Sequence, residues 1–111
     1  QIATRLIGVT GRSCNLLAEL WEAPGAEADF RKFQDLILGI VQDHGGQILG
    51  VDRPSKTDAP DGPDEIHRVQ FPDADALIAY RADPRHVQLS GLRDMSVAKM
   101  VMTNLGTVHD D

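Results

Sequence analysis

This chain is short of most of the residues that announce a function. One cysteine, Cys14, in 111 residues leaves no internal disulfide and no cysteine-built zinc cage, and a reducing cytoplasm is the expected compartment. Lys and Arg number 11 against 17 Asp and Glu, for a net charge of −6. The basic residues are scattered, so neither the electropositive footprint of a nucleic-acid binder nor a polybasic membrane patch is present. No apolar run approaches the roughly 18 residues of a membrane-spanning helix. Ile2–Val9 is broken by Thr4 and Arg5 and lacks the charged start and long apolar middle of a signal peptide.

Site-forming motifs are equally scarce. His44, His67, His86 and His109 fall on separate predicted elements without H-x3-H or histidine–carboxylate spacing, so no metal site is expected. Thr10-Gly11-Arg12-Ser13 resembles a phosphate loop only superficially, since no helix pattern follows it. No neighbouring base activates Cys14, which reads as a small residue near a strand start. No cofactor is expected.

What remains describes a fold. An apolar share of 41% can build a core at this length, and one domain over residues 14–111 is expected. Residues 1–13 would form an N-terminal arm or an extra strand. Cys14–Glu22 alternates as a strand and is closed by Pro24-Gly25. Phe30, Phe33, Ile37, Ile40, Val41 and His44 then recur at three- and four-residue steps, which predicts a helix from about Ala26 to His44. Glu27 and Asp29 suit its positive end, and Gly45-Gly46 ends it. Gln47–Arg53 reads as a second strand. The proline-rich stretch from Arg53 to Glu65 reads as an exposed, mobile connection.

The third strand, Glu65–Phe71, puts His67, Val69 and Phe71 on one face and Ile66, Arg68 and Gln70 on the other. Asp73 caps a helix to about Arg81, with Ala74, Leu77 and Ile78 on its buried side. Asp83-Pro84 breaks that helix and starts a short one to about Leu89. Gly91–Ala98 reads as irregular or partly helical. The last strand, Lys99–His109, carries Val101, Thr103 and Leu105 on one side and Met100, Met102 and Asn104 on the other. Pro24-Gly25-Ala26-Glu27-Ala28 and Pro72-Asp73-Ala74-Asp75-Ala76 share a pattern at the two strand-to-helix junctions. The order β-α-β-β-α-β with right-handed crossovers predicts an α+β, ferredoxin-like antiparallel sheet with both helices on one face.

The second face of such a sheet would hold Asn15, Leu17, Glu19 and Trp21 beside Ile66, Arg68 and Gln70. A single copy can leave it wet. A tryptophan among aliphatics favours packing against a second copy, a homodimer through the open sheet face that closes a barrel. Glu19 and Arg68 would then pair across neighbouring strands, and Trp21 would anchor the interface or stack on a ligand.

The run Glu65-x-His67, Phe71-Pro72, Ala76 followed by Tyr80 and Asp83-Pro84, then Leu92-Arg93, together with Gly45-Gly46, resembles the dimeric α+β barrel superfamily over about Leu17 to Leu105. It is most similar there to an uncharacterised group of small proteins related to antibiotic-biosynthesis monooxygenases. The resemblance implies a cofactor-independent enzyme that oxygenates, cyclises or isomerises an apolar aromatic or polyketide-like molecule. The alternative is a non-catalytic small-molecule-binding or structural dimer module. On the enzymatic reading His67 is the acid/base, imidazole being the side chain that exchanges a proton near neutral pH. Tyr80 and Arg93 would position oxygens, with Trp21, His86 and Arg68 as ligand contacts. Each has a structural reading beside it: a core histidine, a packed tyrosine, an arginine paired with Asp94, an exposed helix histidine.

Overall fold

The structure, a computed structural model, describes residues 13–105. The proposed arm over residues 1–13 therefore lies almost wholly outside the described residues, as does the end of the last strand beyond Leu105.

Among the described residues four strands and four helices follow one another: β1 (Cys14–Glu22), α1 (Glu27–Asp43), β2 (Gln47–Asp52), β3 (Glu65–Phe71), α2 (Ala74–Ala82), α3 (Pro84–Gln88), α4 (Ser90–Ser96) and β4 (Val97–Leu105). The strands form one antiparallel sheet in the order β2-β3-β1-β4. This is the ferredoxin-like arrangement, with each β-α-β crossover spanning a strand laid between its two ends.

Period-two alternation decides which side chains meet the helices. Leu16, Ala18 and Leu20 on β1 and Glu65, His67, Val69 and Phe71 on β3 are buried, while their neighbours are not. From above, α1 contributes Phe30, Phe33, Ile40 and Val41, and α2 contributes Leu77 and Tyr80. The core therefore lies between sheet and helices.

Helix ends follow their local chemistry. Ala26 gives α1 no side-chain cap, so Glu27 and Asp29 in its first turn supply the charge that suits the helix dipole. At the other end Gly46 N–H donates to Val41 O at 2.9 Å and Gly45 N–H to Gln42 O at 3.0 Å, with Gly45 left-handed at φ +79°, a Schellman motif. Gly46 itself is a close approach: a Cβ there would stand 2.5 Å from Val41 Cγ1. Asp73 caps α2 by accepting from Ala76 N–H at 2.8 Å. Asp83 accepts from Arg85 N–H at 2.8 Å to start α3 on Pro84.

Several expectations need correction. Ala74 is exposed and Ile78 is 62% exposed, because the stripe of α2 that meets the sheet runs through Leu77 and Tyr80, and Ile78 lies a quarter turn round from it. Of the two readings left open for Gly91–Ala98, irregular or partly helical, the second holds: residues up to Ser96 belong to α4, whose Ser96 Oγ donates to Leu92 O at 2.6 Å. The last strand begins at Val97, two residues early, because a bulge at Trp21/Glu22 lets Glu22 pair with Val97. The connection between β2 and β3 is tied down rather than loose. Trp21 Nε1 donates to Asp61 O at 3.0 Å, Glu22 N–H to Asp64 Oδ2 at 2.7 Å and Asp64 N–H to Leu20 O at 2.8 Å.

Candidate functional site

A cavity of about 350 Å³ opens between sheet and helices. Its walls are mostly aliphatic and aromatic, with Phe33 and Val41 from α1, Leu77 from α2, and Met100 and Met102 from the exposed edge of β4. Polar side chains are few, and four were expected from the sequence. His67, Tyr80, His86 and Arg93 all line it, joined by Arg81 and Gln34.

His67 points inward because it shares a β3 face with Val69 and Phe71, and it is almost fully buried at 3% exposure. Two residues earlier on the same face, Glu65 is fully enclosed, and its Oε2 lies 2.6 Å from His67 Nε2. Its other oxygen accepts from Arg31 Nη2 at 2.6 Å and from Arg53 Nε at 3.2 Å. Burial pushes the Glu65 carboxyl up, but the bonds from Arg31, His67 and Arg53 together outweigh it and hold it below its ordinary value. Glu65 is thus a carboxylate with no proton to give. The proton of its bond to His67 must sit on Nε2, so Nδ1 is the ring nitrogen not committed to Glu65. A ring nitrogen fixed in this way is the arrangement that orients a general base.

Tyr80 is buried at the base of α2, its ring 5.2 Å from Phe71 and 4.7 Å, edge-on, from His86. Burial raises its hydroxyl to about 12, so it remains a protonated donor at any physiological pH. His86, half-buried on α3, is pushed down by burial first and then by the positive charges of Arg93 and Arg81. It is therefore held mainly neutral near pH 7, able to give or take a hydrogen bond. Arg93 lines the same wall while its Nε stands 3.6 Å from Asp94. Both of its expected roles are accordingly in view.

Outside the cavity, Asp83 joins three elements. It accepts from Arg85, and its Oδ2 is 2.8 Å from His44 Nε2 at the end of α1. The Arg85 and His44 side chains hold its carboxyl well below the usual range.

Trp21 and Arg68 do not belong to this site. Strand alternation puts both on the opposite face of the sheet, the face expected of them from the sequence. The Trp21 ring lies under Lys99, with Nζ 4.6 Å from its centroid. The expected Glu19–Arg68 pair is corrected. The register sets Leu17 opposite Arg68 and Glu19 opposite Ile66, and Arg68 Nη2 instead meets Asp52 at 3.5 Å.

Glu65, Arg31 and Gln34 are the site residues that sequence reasoning passed over. Signals existed for two of them. Glu65 is two residues from His67 in a strand and so must share its face. Gln34 interrupts an apolar helical stripe between Phe30, Phe33 and Ile37. Among the described residues no group of three or more His, Cys, Asp or Glu is placed to hold a metal ion, and no helix is long and apolar enough to cross a membrane.

No family model and no curated protein matches this sequence. Solved structures do match it in shape. A protein of unknown function from Rhodopseudomonas palustris superposes with a TM-score of 0.71 at 12% identity, covering 90% of this chain and 85% of its own. A protein from Caulobacter crescentus, provisionally named an antibiotic biosynthesis monooxygenase, gives 0.71 at 16% identity, with 89% and 92% covered. A dimeric protein of unknown function and ferredoxin-like fold from Bacteroides fragilis gives 0.63 at 10% identity, with 86% and 96% covered. At these identities the likeness is one of fold, and it is the fold expected from the sequence.

Proposed function

We propose that the cavity binds a small, largely apolar aromatic or polyketide-like molecule and that His67 acts on it as acid/base, without a resident metal or organic cofactor. The observation that carries this reading is the buried Glu65–His67 pair, 2.6 Å between Oε2 and Nε2, whose imidazole stands in the wall of a mostly apolar cavity. A cavity of this size sits at the lower end of the range for small-molecule sites, about 300–1,000 Å³. Oxygenation, cyclisation and isomerisation of such molecules can all begin with loss of a proton from a phenol or from a carbon beside a carbonyl. Nδ1 of His67 would take that proton. The Tyr80 hydroxyl and the Arg93 guanidinium are donors on the same walls, suited to the oxygen on which negative charge then develops. His86 and Arg81 add polar contacts.

A thermal-shift screen with phenols, aromatic acids and quinones tests the binding half, since a ligand of the folded state raises Tm by mass action. His67→Gln tests the chemical half. Turnover of a compound found in the screen should fall by roughly 10²–10⁴ while its thermal shift persists. Undiminished turnover would remove His67 from the mechanism. A compound that binds but is never converted would favour the non-catalytic binding module.

The assembly proposed is a homodimer through the open sheet face. Leu17, Ile66, Trp21 and Val101 lie there on adjacent strands, an apolar set with polar neighbours, and the Bacteroides fragilis neighbour is dimeric. Sedimentation at micromolar concentration should show a dimer, and a monomer there would overturn the assembly.

A further inference from the structure

Gln34 stands apart from every other polar side chain of the cavity. It is fully enclosed at a core position of α1 and lines the cavity. Neither its Nε2 nor its Oε1 has a hydrogen-bond partner among the described residues. An amide in that state has lost water from both its donor and its acceptor, and a molecule able to supply both bonds at once relieves both losses. His67, by contrast, has one nitrogen already committed to Glu65.

The fold sets these two groups near one another. β1 and β2 run parallel on either side of β3, so α1, which connects them, runs back along the direction of β3. Arg31 on α1 touches Glu65 on β3 at 2.6 Å. One step further along each element come Gln34 and His67, both in the wall of the same cavity.

We propose that this cavity selects ligands that carry a hydrogen-bond donor beside an acceptor, an N–H or O–H next to a C=O, and that Gln34 is the residue that reads this edge. A carboxamide presents N–H and C=O side by side, and its complement is the same pair reversed, as in a cyclic amide or a protonated carboxylic acid. A ligand offering only an acceptor leaves Oε1 unpaired, and a purely apolar one leaves both atoms unpaired. Such an edge, docked on Gln34, also carries an exchangeable proton to the neighbourhood of His67. The inference rests on the reading that the cavity holds a small molecule, and it adds the class of polar group that molecule bears.

Three planar bicyclic probes of similar shape test it on the full chain: 2-quinolone, with N–H beside C=O; N-methyl-2-quinolone, with the donor removed; and naphthalene, with neither. Titration is followed through the methyl resonances of Met100 and Met102, which line the cavity. Wild type should bind 2-quinolone at least tenfold more tightly than the N-methyl compound. Gln34→Leu should bring the two within about twofold while naphthalene binds as well or better, a tenfold change corresponding to about 1.4 kcal/mol. A steric penalty on the extra methyl group would survive Gln34→Leu, so persistence of the preference in the variant overturns the proposal, as does its absence in wild type. Gln34→Met serves the same purpose if the leucine variant does not fold, and the wild-type ratio stands without either. Binding of naphthalene without discrimination sinks this inference alone. Failure of wild type to bind any of the three sinks it together with the small-molecule reading of the cavity.

Discussion

Glu65 and Arg68 stand three residues apart on one strand and carry opposite charges, yet their surroundings have little in common. Glu65 faces the helices, fully enclosed, with three charged or polar partners closing on its two oxygens. Arg68 faces the open side, 59% exposed, and its ion-pair partner among the described residues is Asp52 at 3.5 Å, itself 55% exposed. Interactions of one formal type thus sit in two dielectric settings. Removing one member of a dry cluster leaves its partners uncompensated, whereas a wet pair is replaced at once by water.

The sharpest break of that contrast is Glu65→Ala. It should cost about 3 kcal/mol of folding stability by denaturant titration, the low end for a broken buried pair, because Arg31 and Arg53 keep 40% and 65% of their side chains exposed and can turn to water. It should also remove the bond that fixes the orientation of the His67 ring. Acid probes the same group without a mutation. The folded Glu65 carboxyl lies below its ordinary value of 4.5, so its contribution is fully present above that value and is lost as the pH falls through the lower, folded value. Stability that drops below about pH 4.5 in wild type and less steeply in Glu65→Ala is expected. Identical acid profiles would show that the carboxylate contributes nothing. The smallest effect is Arg68→Ala, which should change stability by about 0.5 kcal/mol or less. A loss near that of Glu65→Ala would mean that the open face is dry, as it would be beneath a closely packed partner.

The sequence exposes one side of this contrast more readily than the other. β1 and β3 have the bounds expected of them, because alternation on a half-buried sheet is a signal of period two that no other element imitates. α1 was legible from apolar residues at three- and four-residue steps, and its glycine stop, the Asp73 cap and the Asp83-Pro84 restart from local turn and cap chemistry. His67, Tyr80, His86 and Arg93 could be placed around a cleft because each falls at a predictable position on those elements.

What stayed hidden depends on distance in space. Glu65 closes a stretch containing Asp58, Asp61 and Asp64, and by composition it is one more acid beside a proline-rich loop. Only the arrival of Arg31 from α1, 34 residues earlier, makes it the partner of the imidazole. Gln34 looks like a tolerated polar residue on a helix until the sheet packs over it. The bulge at Trp21/Glu22 moved the start of β4, a change that pairing creates and no local pattern announces. Ile78 was misplaced because a nine-residue helix gives too few turns to define its inner stripe.

Arg53 and Glu65 mark the two feet of the β2–β3 connection, and the bond between them draws those feet together. The carboxylate that steadies the imidazole therefore also fastens the loop. Chain inserted or removed between Pro54 and Pro63 leaves both ends where they are, so this stretch can change in length and composition between descendants of the fold while the geometry at the base is passed on intact.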